Sequence, residues 1–181
     1  MQFIDKKHFI CYTNIRSLTY AIELYNCDSK GATEIMKVFI DADGCPVVDL
    51  TIRIAKGHGI SCFILCDTSH FFERDGATTI TVSKGPDSVD FVIANIVKSG
   101  DIVITQDYGL AAMCLARQAI PINQNGMVYT DENIIGLLEQ RHMAQKIRKS
   151  GGKLKGASKR TETQNTEFGS ALSKLLGNII L

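Results

Sequence analysis

Apolar positions along the chain fall into two alternating rhythms. Short continuous runs recur at Val38-Phe39-Ile40, from Ile60 to Cys66, in the β-branched Thr78 to Val82, and at Ile102-Val103-Ile104. Runs of this length suit strands covered on both faces. Between them, apolar residues recur at helical spacing. Val47, Leu50 and Ile54, joined by Val48, predict a buried side for a helix over 46–57, stopped by Gly57 and Gly59. Val89, Val92, Ile93 and Ile96 predict a second sheet-facing side over 87–99, ended by Ser99-Gly100.

The same reading continues downstream. An Ala- and Leu-rich helix follows over 109–118, then a short strand over 119–122 and a turn at Asn123-Gln124-Asn125-Gly126. Met127 to Tyr129 is placed as a small hairpin partner. A long helix spans 131–149, with Ile134, Ile135, Leu138, Met143 and Ile147 along one side. Residues 153–163 read as a loop, and 166–177 as a last helix with Phe168, Leu172, Leu175 and Leu176 facing inward. Strands alternating with helices predict a three-layer α/β/α sandwich with a largely parallel central sheet.

Three segments follow from this pattern. Residues 36–150 form the α/β core, and 151–181 add a basic loop and a C-terminal helix packing on the same domain. Residues 1–35 show no clear period. They read either as an upstream extension or as a short strand or helix docked on the domain edge, through residues such as Tyr12, Leu18, Tyr20, Leu24 and Tyr25.

Composition changes this picture little. The 181 residues are 45% hydrophobic and 22% charged, with a formal net charge of +1. No apolar stretch approaches a membrane span, and the first residues lack the apolar centre of a signal peptide, so a cytoplasmic location is the default expectation. None of the six cysteines forms a C-x-x-C pair. Cys62 and Cys66 point to one face of a strand and read as core residues rather than zinc ligands.

Charge distribution is more informative. Residues 37–140 carry seven Lys/Arg against thirteen Asp/Glu, whereas 141–160 carry eight Lys/Arg and no acid. The acids gather at predicted element ends. Asp41 closes the first strand, with Asp43 two residues on in the turn Asp43-Gly44-Cys45-Pro46. Asp107 follows the strand at 101–105, and Asp87 and Asp90 share a face at the start of a helix. Carboxylates crowded into one cleft repel one another unless a cation intervenes. Mg²⁺ or Mn²⁺ suits such oxygen donors and would support phosphodiester hydrolysis.

The expected metal ligands are therefore Asp41, Asp87, Asp90 and Asp107, with Asp41, Asp90 and Asp107 at the centre of the chemistry. Asp43 and Thr105 are expected to support them, Thr105 by a hydrogen bond to a ligand carboxylate. Ser69 and His70, beyond the second strand, are candidates for phosphate contact. So are Arg141, His142, Arg148, Lys149, Lys153 and Lys155 in the basic block, whose other cations are Lys146, Lys159 and Arg160. The block lacks interleaved aromatics, so it suits backbone phosphates better than bases. Neither a nucleoside-triphosphate loop nor a dinucleotide fingerprint is present.

Five stretches together resemble the YaiI/YqxD family of uncharacterised bacterial proteins. They are Ile40-Asp41-Ala42-Asp43-Gly44-Cys45-Pro46, Asp67-Thr68-Ser69-His70, Gly85-Pro86-Asp87-Ser88-Val89-Asp90, Thr105-Gln106-Asp107-Tyr108-Gly109-Leu110-Ala111 and the block from Arg141-His142 to Gly156. That family is similar to PIN-like nuclease domains. The resemblance implies a metal-dependent nuclease with RNA as the favoured substrate. Asp41 matches the first-strand acid, Asp87 or Asp90 the helix acid, and Asp107 the later strand-end acid. Asn123 or Asn125 stands uncharged where a fourth acid is expected. Gly156-Ala157-Ser158-Lys159-Arg160 departs from the Gly-Pro-Lys pattern of relatives. Two other functions share these features: a catalytically weak nucleic-acid-binding or regulatory module, and a small-molecule phosphatase.

Overall fold

The computed structural model describes residues 10–11, 36–69, 73–151 and 159–177. Six strands among these residues form one sheet: β1 (Ile10–Cys11), β2 (Val38–Asp41), β3 (Cys62–Asp67), β4 (Thr78–Val82), β5 (Ile102–Ile104) and β6 (Ile120–Ile122). Their order is β1-β4-β3-β2-β5-β6, and every pairing is parallel. Among the described residues five helices accompany them: α1 (Val48–Gly57), α2 (Ser88–Ile96), α3 (Tyr108–Ala116), α4 (Asp131–Lys149) and α5 (Glu162–Gly177). No helix among the described residues is long and apolar enough to cross a membrane.

Strand periodicity sorts the core into two layers. Val38, Ile40, Cys62, Ile64, Cys66, Ile102 and Ile104 face α1 and α5. Phe39, Phe63, Leu65 and Val103 face α2 and α3, with Phe39 and Phe63 stacked at 5.3 Å between ring centroids. The result is the three-layer α/β/α arrangement. Cys62 and Cys66 lie buried on one face, and burial pushes the Cys62 thiol up to about 12. Both are packing residues.

Helices differ from the sequence pattern in informative ways. On α1, Val48, Thr51, Ile52 and Ala55 are buried, whereas Leu50 and Ile54 are only partly covered. A Cβ built on Gly169 of α5 would sit 3.6 Å from the Ile54 Cδ1, so that side of α1 packs on the C-terminal helix. α5 begins at Glu162, four residues earlier than expected. A reciprocal cap starts it: Gln164 N–H donates to Thr161 Oγ1 at 3.3 Å, and Thr161 N–H donates to Gln164 Oε1 at 2.9 Å.

The largest departure is on α4. Ile134 is buried, but Ile135, Met143 and Ile147 are 63%, 56% and 42% exposed. Only the first half of α4 rests on α3, through Ile134, Leu137 and Leu138 around Tyr129 and Ala111. A nine-residue α3 runs about 14 Å and cannot support a nineteen-residue helix of about 28 Å. The distal half of α4 therefore projects past its neighbour.

Two features bear on the chain ends. Ile10–Cys11 pairs in parallel with Ile80 and Thr81, a short strand on the domain edge; the apolar residues proposed as docking contacts from Tyr12 to Tyr25 lie outside the described residues. After β6, Ile122 and Val128 form a single antiparallel bridge. The turn between them presses on α5: at Gly126, φ +89°, an added Cβ would lie 3.0 Å from both Ala171 Cβ and Glu167 O.

Candidate active site at the sheet switch point

Strand order reverses direction between β2 and β5. β2, β3 and β4 proceed one way across the sheet, and β5 and β6 the other. Connections leaving such a point diverge to opposite faces and open a crevice at the carboxyl ends of the strands. Asp41 ends β2 at this crevice, and Thr105 follows β5 beside it.

Local chemistry fixes both edges. Thr105 is buried, and its Oγ1 donates to Asp41 Oδ2 at 2.8 Å while accepting Asp107 N–H at 3.0 Å. One hydroxyl thus connects the two acidic segments. Asp107 then caps α3: its Oδ1 accepts N–H groups from Gly109 at 2.6 Å and Leu110 at 3.1 Å. Gly109 is needed for this close cap, because a Cβ there would stand 2.9 Å from that oxygen. The other carboxylate oxygen, Oδ2, pairs with Arg141 Nη1 at 2.8 Å. Gln106 Nε2 reaches across the crevice and donates to Gly44 O at 3.0 Å, tying the β5–α3 loop to the β2–α1 turn.

A cavity of about 540 Å³ opens here, lined by Asp41, Asp43, Asp67, Asp87, Asp90 and Asp107. Gly44, Gly85, Ser88, Gln106, Tyr108 and Arg141 also line it. Among the described residues, Arg141 is the one basic side chain in that wall. Asp87 adopts a left-handed backbone at φ 52°, a conformation Asp tolerates better than most residues. Its carboxylate caps none of the α2 N–H groups and lines the cavity.

The acids feel one another. Burial raises the Asp41 carboxyl above its ordinary value; the Thr105 hydroxyl and the Asp43 backbone N–H pull it down, and the Asp43 and Asp107 charges push it up. Asp90 is pushed up to about 6, first by burial and then by Asp41, Asp107 and Asp87, with Arg141 opposing. Cys114, beneath them on α3, is raised to about 12 by burial and by the Asp90 and Asp41 charges. These couplings place Asp41, Asp90 and Asp107 in a common field. Yet no three His, Cys, Asp or Glu side chains among the described residues stand close enough to form a ready-made metal cage.

The remaining sequence candidates are scattered. Asp43 lines the cavity itself rather than standing behind Asp41. Ser69 is exposed and absent from the cavity wall; its N–H donates to Asp67 Oδ1 at 2.7 Å in a local turn. His142, Arg148 and Lys149 lie exposed on the projecting half of α4, away from the wall. His70, Lys153 and Lys155 fall outside the described residues. Arg160, grouped by sequence with the basic block, is spent on structure. Its guanidinium donates to Asn165 Oδ1 at 2.6 Å, Asn125 Oδ1 at 3.1 Å and Gln124 O at 2.6 Å, fastening the β6 turn to α5.

Asp67, Gln106 and Tyr108 line the site without having been singled out. Asp67 carries the clearest missed signal, since it ends β3 as Asp41 ends β2. Tyr108 stacks edge-on against Tyr129 at 5.9 Å, and the Tyr129 hydroxyl donates to Thr105 O at 3.4 Å.

Comparison with known proteins gives a consistent result. The model of a family described as "Uncharacterized BCR, YaiI/YqxD family" matches residues 39–178. A UPF0178 protein of Exiguobacterium sibiricum is 56% identical over 141 residues, 78% of this chain and 96% of the relative. UPF0178 proteins of Ruminiclostridium cellulolyticum and Alkaliphilus oremlandii are 47% and 46% identical, covering 76% and 81% of this chain and 90% and 94% of their own lengths. No solved structure matches the chain significantly.

Proposed function

We propose that this chain, which belongs to the uncharacterised YaiI/YqxD family, is a divalent-metal-dependent nuclease that hydrolyses phosphodiester bonds, with RNA as the favoured substrate. One observation carries the reading: six aspartates from four separate segments line a single cavity at the sheet's switch point. The similarity of the family's motifs to PIN-like domains points the same way. Burial, and after it the charges of Asp41, Asp107 and Asp87, push Asp90 up to about 6, so ionising all these carboxylates together is disfavoured. An all-oxygen donor set of this charge fits Mg²⁺ or Mn²⁺ and fits softer ions poorly. Asp41, Asp87, Asp90 and Asp107 would hold the ion. Bound there, it would supply an acidified water and neutralise charge developing on phosphate oxygens.

The protein's own groups have separable tasks. Thr105 holds the Asp41 carboxylate in one orientation and positions the Asp107 backbone. Arg141 offers a planar positive fork at the cavity wall, suited to a phosphodiester oxygen pair. Lys146, Arg148 and Lys149 extend along α4 as phosphate contacts without base reading. A second reading, a nucleic-acid-binding module with weak catalysis, is favoured by the lack of a ready-made cage among the described residues.

Cleavage of end-labelled RNA and DNA oligonucleotides with Mg²⁺, Mn²⁺ or EDTA separates the two. The nuclease reading expects metal-dependent scission that EDTA stops and Asp41→Asn abolishes while the variant's circular dichroism stays native. Cleavage unchanged in Asp41→Asn removes Asp41 from the chemistry. Binding without cleavage under every metal condition leaves the binding module.

A further inference from the structure

We infer that Arg141 is a built-in counter-cation that a divalent ion must displace from Asp107 before the site is complete, and that the displaced guanidinium then meets the substrate phosphate. This rests on the metal-site reading above and adds an order of events to it.

Both Asp107 oxygens already have partners. Oδ1 accepts two backbone N–H groups at the start of α3, a task that holds the helix in place. Oδ2 is taken by Arg141 Nη1 at 2.8 Å. An ion that ligates Asp107 must therefore approach through Oδ2, where the guanidinium sits. Two positive groups cannot share that oxygen without strong repulsion. The Arg141 side chain can leave cheaply. It is 44% exposed, and it stands on the half of α4 that extends beyond the support of α3. No apolar contact of the core has to break.

Two of the acids already have partners on a cavity-side oxygen. Asp41 Oδ2 is occupied by Thr105, and Asp107 Oδ2 by Arg141. Turning Arg141 out frees one carboxylate oxygen facing the cavity and leaves a cationic fork at its edge. A phosphodiester arriving after the ion would find both charges arranged around it.

Manganese affinity measured by isothermal titration calorimetry tests the inference on the full chain. Arg141→Gln should bind Mn²⁺ about two- to fivefold more tightly than wild type, the change expected for losing one solvent-screened ion pair. Arg141→Lys keeps the charge and loses the fork, so its affinity should fall between the two. Thermal unfolding of the variants checks that the fold is kept. Equal or weaker Mn²⁺ binding by Arg141→Gln, with wild type binding normally, overturns the displacement and leaves the nuclease reading standing. If neither wild type nor Arg141→Gln takes up Mn²⁺, both fall.

Discussion

Thr105→Val is the most searching single change, because one buried hydroxyl joins the two halves of the site. Valine keeps the branched shape, so packing against the sheet is nearly preserved and only hydrogen bonding changes. The variant loses the 2.8 Å donation to Asp41 and strands the Asp107 N–H, which in the wild type donates to Thr105 Oγ1 at 3.0 Å. A hydrogen bond to a charged group contributes roughly 1.5–3 kcal/mol, and a buried N–H left without a partner costs roughly 1–3 kcal/mol. Allowing for relaxation and partial solvent access at Asp41, the expected loss is about 2–4 kcal/mol. Urea unfolding at pH 7 in EDTA, followed by circular dichroism, measures it. Thr105→Ser is the control: it retains the hydroxyl, loses a methyl group, and should cost about 0.5–1.5 kcal/mol. The Thr105 bond favours ionised Asp41, so the penalty should shrink as pH falls through the raised Asp41 value. A Thr105→Val protein no less stable than Thr105→Ser would refute the hydroxyl's bridging role.

Other expectations follow from the same geometry. Asp90 titrates near 6 in the folded chain against 3.8 for the ordinary carboxyl. The unfolded chain therefore releases this proton first, and stability contributed here falls as pH rises from about 4 to 6. In metal-free buffer, Asp90→Asn should gain about 1 kcal/mol at pH 8, after discounting for its half-exposed position, and nothing at pH 4; paired urea titrations at the two pH values check this. Neutralising Lys146, Arg148 and Lys149 together should weaken RNA binding and flatten its salt dependence in filter-binding assays. Arg160→Gln should leave that binding intact and lower the melting temperature, because its guanidinium holds the β6 turn against α5.

Element type was readable wherever burial imposed a simple period. β2, β3 and β5 lie between two helical layers, so their sequences are unbroken apolar runs. Strand order was not readable, because it depends on where each crossover lands and no local residue records that. The switch point between β2 and β5, which locates the cavity, became visible only in the fold. α4 shows a different limit. Its apolar stripe has helical spacing throughout, but spacing cannot say that α3 is too short to cover Met143 and Ile147. The early start of α5 was legible in principle, since Thr161 and Gln164 have capping-box spacing; its first turn is polar and carries no apolar period.

The candidate site divides along the same line. Acids at strand ends were visible as residues, and the structure places Asp41, Asp87, Asp90 and Asp107 on one cavity. The tasks of Arg141 and Arg160 could not be separated by sequence. Both belong to one basic block, yet one faces a carboxylate in the cavity and the other holds four oxygens of the fold. Partner geometry, which is non-local, decides between them.

Crystals soaked in Mn²⁺, with anomalous scattering recorded at the manganese edge, test the central claim most directly. The account predicts a manganese peak inside the cavity at bonding distance from Asp41, with Arg141 turned away from Asp107. Well-diffracting soaked crystals with no manganese among these aspartates would contradict it.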